Sequence, residues 1–296
     1  MASVDVAIIG SNLPGYAIAK LVSPHLRTLM IKTSGEELSE ALRPINHHSH
    51  AKMVSKIGKD SAAEVVNFAH ANLEHLLSIL GPAGLAQTSV ESYGDMVEDY
   101  CEFVKNRSIA STVKRSTEIL FGDHAKREYG KPGAVRFRST RITTGELQER
   151  FRTESLANGL VEVDGVISVE NMGGSWKLQT AQGTVYTEKL IFSSDHHAAE
   201  FWSVLKMKNE SVEFTFTNEK LSSFNRGLLQ KLADSQLPLV AQLSNTVYLN
   251  VNYDTTTMLS CLLASFEMVK AILFGSKMRV PVAFNLHEEP SLMARL

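Results

Sequence analysis

The stretch VDVAIIGSNLPGYAIAKL, residues 4–21, constrains the fold more than any other part of the chain. Val4 to Ile9 is a near-continuous apolar run, as a parallel strand buried on both faces requires. A turn bounded by Gly10 and Gly15 follows, then a helix from about Pro14 to Val22 that stops before Pro24. TLMIK, residues 28–32, reads as a second short strand. Strand, helix and strand at this spacing open a doubly wound sheet of the Rossmann type. Two residues depart from its dinucleotide-binding pattern. The middle glycine of G-x-G-x-x-G is Asn12, which adds a side chain where a pyrophosphate approaches but tolerates left-handed backbone angles. The second strand ends on Lys32, where a carboxylate would accept ribose hydroxyls; a cation suits the 2′-phosphate of NADP instead.

The middle of the chain is less regular. TSGEELSEALRPINHHSHAK has no steady period and reads as loop with a short helix. Ser61 and Glu64 form a capping-box pattern that starts a helix to about Leu80, with Val66, Leu73, Leu76, Leu77 and Leu80 inward and Gly81–Pro82 as its stop. YCEFVKNRSIA reads as strand or short helix, and STVKRSTEILFG as helix. From Ala134 the pattern sharpens: a strand AVRFRS, a helix ending at Gly159, and three strands turning at Gly173–Gly174 and Gln182–Gly183. SVEFTFT and TVYLNVNY alternate at period two, each with one covered face, and a last helix spans about Thr257 to Phe274.

Composition narrows the function classes. With 30 basic and 32 acidic residues among 296, the chain lacks the basic footprint of a nucleic-acid or anionic-membrane binder. The longest apolar run, Met258 to Phe274, carries Glu267 and Lys270 and reads as an amphipathic helix rather than a membrane span. Cys101 and Cys261 form no CxxC pair, which suits a reducing compartment, and no signal peptide is visible. The expectation is a cytoplasmic protein.

The order of elements resembles the flavoprotein superfamily of D-amino-acid oxidase, sarcosine oxidase and glycine oxidase. The resemblance is carried by Leu147, Phe151, Leu156 and Gly159 in the helix, and by Val166, Trp176, Leu178, Thr180, Gly183, Leu190 and Ile191 in the strands that follow. It implies an α/β fold: a Rossmann-like FAD/NAD(P)-binding domain with an inserted β-meander and a small antiparallel α+β second domain. Residues 1–90, 134–205 and 245–296 would form the first, and 91–133 with 206–244 the second, cap-like one. It also implies an FAD-dependent oxidoreductase acting on an amine or amino acid. Gly10, Asn12, Gly15, Lys32, Arg43, Val166 and Ser194 would stand at the cofactor. The family's A-x-G has become Ser193-Ser194-Asp195, and its C-terminal glycine loop NYDTTTMLS. With Asn12 and Lys32, four checkpoints differ, so the resemblance implies a weakened FAD site. A cofactor-free binding or assembly protein, as Rab GDP-dissociation inhibitors are on this fold, and an NADP-binding reductase stay open as alternatives, and so does a protein partner.

Other residues invite chemistry without forming a motif. His47, His48, His50, His196, His197 and Asp195 are of metal-ligating type, but no spacing matches a metal site, and His70 and His75 are five apart on one helix. Arg43 suits a phosphate or carboxylate. Arg136 and Arg138 share a strand face and could clamp an anion, with Arg141 beyond them. Tyr248 and Tyr253 fall on opposite faces, so at most one lines a pocket. Cys261 has no paired histidine and reads as core. No residue stands out as a catalytic acid, base or nucleophile.

Overall fold

β1 (Ala2–Ile9) is the centre of the protein, because parallel strands pair with both of its edges and packed side chains cover both of its faces. The computed structural model describes residues 2–33, 41–45, 47–81, 86–91, 96–194, 198, 213–215, 237–254 and 257–285. After β1 come α1 (Leu13–Val22) and β2 (Thr28–Lys32), then α2 (His47–Ile57) and α3 (Lys59–Leu80). β3 (Ala86–Glu91), α4 (Met96–Lys105), α5 (Ser111–Arg115), β4 (Thr117–Phe121), α6 (Gly122–Tyr129) and β5 (Gly133–Thr140) follow. α7 (Thr144–Ala157) leads into β6 (Val161–Asp164), β7 (Val166–Asn171), β8 (Trp176–Thr180) and β9 (Gly183–Phe192). β10 (Glu213–Thr215), β11 (Leu239–Gln242), β12 (Val247–Val251), a 3-10 turn (Met258–Ser260), α8 (Cys261–Phe274) and a second 3-10 turn (Val282–Phe284) complete the described elements.

The main sheet joins β10-β7-β8-β9-β1-β2-β6, with β12 added to the far half of β9 and β11 to β12. Its parallel core runs β6-β2-β1-β9-β12. β9 is long enough to change neighbours: its first half pairs β8 in the meander, its second half β12. One face packs on α1, α3, α7 and α8 through Val6, Ile8, Ile18, Leu73, Phe151 and Met268. The meander closes the other face on Ala7, Ile9, Leu29 and Ile31 through Val169, Trp176 and Leu178. A separate antiparallel sheet, β3-β5-β4, stands beside it. The α/β architecture with a parallel sheet and a small second antiparallel sheet agrees with the sequence reading.

Several local readings change. STVKRSTEILFG is one helical turn followed by β4, because Thr117, Ile119 and Phe121 gain a partner in β5 that a helix could not offer. α3 starts at Lys59, two residues before Ser61, with Gly58 at the N-cap position, so Ser61 is inside the helix and its capping box is not used. The working capping box is Thr143 with Glu146, where the hydroxyl accepts the Glu146 N–H and the carboxylate accepts the Thr143 N–H. A fourth strand, β6, precedes the expected three. β12 is buried on both faces rather than one, because Tyr248 packs into the helix-side core while Val247, Leu249 and Val251 pack into the core on the other face. Of SVEFTFT only residues 213–215 are described.

The buried histidines make stability pH-dependent. His50 on α2 packs edge-on against Phe103, and its Nε2 lies 3.1 Å from the Asn106 amide nitrogen, which can only donate. The imidazole proton therefore sits on Nδ1, which is buried and has no hydrogen-bond partner among the described residues. Burial lowers the pKa of both His50 and His70 from 6.5 to about 4. Both are neutral in the folded protein, so their contribution is complete above about pH 6.5 and is lost as pH falls towards 4. Chemical denaturation at pH 7 and pH 5 is expected to show a stability loss on the order of 1–3 kcal/mol that His50→Leu reduces. Equal losses in both proteins would show that His50 does not titrate in this way.

Candidate dinucleotide site

The β1–α1 turn sits where the chain reverses direction across the sheet: β2 lies on one side of β1 and β9 on the other. In open parallel sheets that switch point is where ligands bind. Register places Gly10, Lys32 and Asp164 in one row at the carboxyl ends of β1, β2 and β6, with Ser193 on the other side of Gly10.

Gly10 has φ +129°, a left-handed angle that glycine alone adopts readily. A Cβ there would meet Ser193 Oγ at 2.4 Å and the Ser194 nitrogen at 2.7 Å. Gly15 is fixed by space alone, since a Cβ would lie 2.1 Å from the Gly10 carbonyl oxygen. Both glycines thus serve the close fit of strand, turn and helix.

Asn12 does not use its left-handed tolerance. Its backbone is extended (φ −97°, ψ 178°), and it caps α1. Its Oδ1 accepts the Gly15 N–H at 3.0 Å, and its Nδ2 donates to the Ser193 carbonyl at 2.6 Å. The side chain is folded back onto the helix and β9, with both polar atoms in use. Ser193 Oγ donates to the Gly10 carbonyl at 2.8 Å. On the other flank Ser11 Oγ donates to the Thr33 carbonyl and accepts the Thr33 N–H, both at 3.2 Å. The turn is stapled to both neighbouring strands by its own side chains. Pro14 has no N–H, and those of Gly15 and Tyr16 are taken by Asn12. Among the described residues, the consecutive N–H groups of Ser11, Asn12 and Leu13 have no acceptor. Three successive free donors at a helix N-terminus suit a phosphate or another anion.

Lys32 Nζ lies 2.7 Å from Asp164 Oδ1, and both side chains are well exposed. The cation at the end of β2 has a carboxylate beside it. Beneath this pair Glu162 binds Arg152 through two bonds of 2.9 and 3.0 Å and accepts the Tyr16 hydroxyl at 2.8 Å. Burial pushes the Glu162 carboxyl up, but the Arg152 and Tyr16 bonds outweigh it and hold it below the usual range. The same burial and the Glu162 bond push the Tyr16 phenol up. This trio locks α1, α7 and β6 together under the site.

The other sequence candidates are spread out. Arg43 is exposed and Val166 buried at the start of the meander, where a register shift interrupts its pairing. Ser194 follows β9, its N–H on the Ile9 carbonyl. Arg136 and Arg138 share a face but do not form an anion clamp: Arg136 pairs Glu118 at 3.1 Å and Arg138 pairs Glu74 at 2.8 Å. Tyr248 is core, and Tyr253 donates to Asn250. Cys261 is fully buried, which pushes its thiol up and keeps it protonated. The side chains of His47 and His48, and residues 195–197, lie outside the described set. Among the described residues no three His, Cys, Asp or Glu side chains are placed to hold a metal, and no helix is long and apolar enough to cross a membrane.

The start of the last helix is also closed by protein groups. Asp254 accepts the Thr257 N–H and hydroxyl, both at 2.8 Å, and its carbonyl accepts the Met258 N–H. Asn72, fully buried on α3, accepts the Leu263 N–H at 2.7 Å. Asp164, Asn72 and Asp254 were all missed in the sequence. Only the DTTT run around Asp254, a helix-capping composition, carried a local signal.

No family model and no curated protein matches the sequence. Solved structures do match in three dimensions. Glycine oxidase from Geobacillus kaustophilus superposes with a TM-score of 0.67 at 12% identity, over 97% of this chain and 99% of that one. L-Amino acid deaminase from Proteus myxofaciens gives 0.64 at 11%, over 97% and 93%. L-α-Glycerophosphate oxidase from Mycoplasma pneumoniae, with FAD bound, gives 0.59 at 11%, over 97% and 99%. The chain has the fold of glycine oxidase and L-amino acid deaminase.

Proposed function

We propose that this protein is a divergent FAD-dependent oxidoreductase-like protein of the amino-acid-oxidase type, acting on an amine or amino acid through a weakened FAD site. The observation that carries the reading is the run of three free N–H groups at Ser11, Asn12 and Leu13, at the switch point of a sheet built as in glycine oxidase. They fit the pyrophosphate, with Gly10 and Gly15 keeping the strand, turn and helix close-packed behind it. Ser194, Val166 and Arg43 are the neighbouring contacts this reading assigns. Bound flavin would accept a hydride from the carbon next to the substrate nitrogen; the protein supplies orientation and field. Lys32 contributes no acceptor to the ribose, and the Asn12–Ser193 bridge crosses the crevice between β1 and β9. These two features set the affinity low.

The staples at Ser11 and Asn12 favour a second reading. They hold the turn with no ligand, as a cofactor-free binding or assembly protein would need. The NADP reading gains nothing from Lys32, because Asp164 places a negative charge where the 2′-phosphate would go.

Titration with FAD, NADP and NAD tests these readings. The purified protein is expected to lack a stoichiometric flavin band near about 450 nm and to bind FAD in the micromolar range or weaker, ahead of both nicotinamide dinucleotides. FAD that survives gel filtration at one per chain would contradict the weakened site. Binding of none of the three would leave the cofactor-free reading.

A further inference from the structure

Lys32 occupies the position of a ribose-binding carboxylate, yet a carboxylate stands beside it. β6 runs parallel to β2 in the register Lys32↔Asp164, and the Gly165 N–H donates to the Lys32 carbonyl at 3.2 Å just beyond. We propose that Asp164 has taken over the ribose acceptor role from position 32, so that the adenosine half of a dinucleotide is held from β6 rather than β2. The proposal rests on the FAD reading above.

Three observations support it. Gly10, Lys32 and Asp164 form one row across adjacent parallel strands, so Asp164 lies two strand spacings, about 10 Å, from the phosphate-binding turn. Ser11 ties the turn to Thr33, the next residue after Lys32, which fixes the row's geometry. Lys32 Nζ lies 2.7 Å from Oδ1 of Asp164. Oδ2 accepts no hydrogen bond among the described residues, and the side chain is 72% exposed at the sheet edge. A lysine alone cannot accept from a diol, whereas the pair offers an acceptor oxygen and ammonium donors together. The charge has moved one strand outwards, and Lys32 neutralises it in part. That arrangement suits an unmodified ribose and opposes a 2′-phosphate.

The test is calorimetric titration of wild type, Asp164→Asn and Lys32→Met with FAD, ADP, 2′,3′-dideoxy-ADP and FMN. Wild type is expected to prefer ADP to its dideoxy analogue by about tenfold or more. Asp164→Asn should lose about tenfold on FAD and ADP, erase the preference over the dideoxy analogue, and leave FMN unchanged. Lys32→Met should keep ADP binding and the ribose preference. The exposed pair is not needed for folding, so thermal midpoints should stay together. If Asp164→Asn binds ADP like wild type, the assignment is wrong while the FAD reading stands. If Lys32→Met loses ADP as Asp164→Asn does, recognition belongs to the lysine and the assignment is again wrong. If wild type binds neither ADP nor FAD, the assignment and the FAD reading fall together.

Discussion

Gly15→Ala is expected to cost about 3 kcal/mol or more, lowering the thermal midpoint by roughly 6–12 °C or leaving the protein insoluble. The new Cβ would lie 2.1 Å from the Gly10 carbonyl oxygen and 2.7 Å from Ser193 Oγ. The first obstacle is backbone at the end of the central strand, so no rotamer change relieves it. Gly145→Ala is the matched control. It also sits early in a helix, has no positive φ, and a Cβ there meets nothing within 4 Å. That substitution should be neutral or stabilise by about 0.5–1 kcal/mol. Thermal unfolding of the two variants beside wild type decides the matter. A Gly15→Ala protein as stable as wild type would mean that the tight strand–turn–helix junction is not needed.

Arg152→Met is expected to destabilise by about 2–3 kcal/mol at pH 7, because it strands the Glu162 carboxylate, whose side chain is only 9% exposed. Much of the guanidinium's Coulombic contribution is screened, since Arg152 itself is 37% exposed; the larger cost is the unpaired buried acid. The sign with pH separates this cause from lost packing. In wild type the Glu162 pKa is lowered, so its contribution is complete above the unfolded value of about 4.3 and is lost as pH falls through the folded one. In the variant, burial acts without the arginine and raises that pKa, so protonation relieves the strain. Denaturant unfolding should show the gap between the two proteins narrowing from pH 7 to pH 4.5. A gap independent of pH would assign the loss to packing alone.

The strand–turn–helix opening was legible because its signals are local: an apolar run, two glycines, and a proline after the helix. α7, β8 and β9 were legible for the same reason, through a helix-stop glycine and turn glycines at fixed places. β6 was not. VEVD is four residues long and half polar, and it becomes a strand only because β2 offers a free parallel edge more than a hundred residues away. β4 was hidden in the same way, since TEILF needs β5 to choose strand over helix. At the candidate site the sequence drew attention to positions 12 and 32, but not to their partners. Nothing near Lys32 in sequence announces Asp164, and nothing near Asn12 announces Ser193. A side chain reads as a lost contact until the neighbour across the sheet is known.

The pairing of β1 with β9 also has a consequence in time. Val6 is matched to Lys189, a separation of 183 residues. A ribosome adding about 5–20 residues each second takes roughly 10–40 seconds to bridge that distance. Throughout that interval β1 has been made, with its run of valine, alanine and isoleucine, while the strand that covers one of its edges has not. β2 can cover only the other edge. A nascent chain of this design exposes its most apolar strand early and completes its central sheet late, so the yield of folded protein in a cell should depend on what shields residues 2–9 during synthesis.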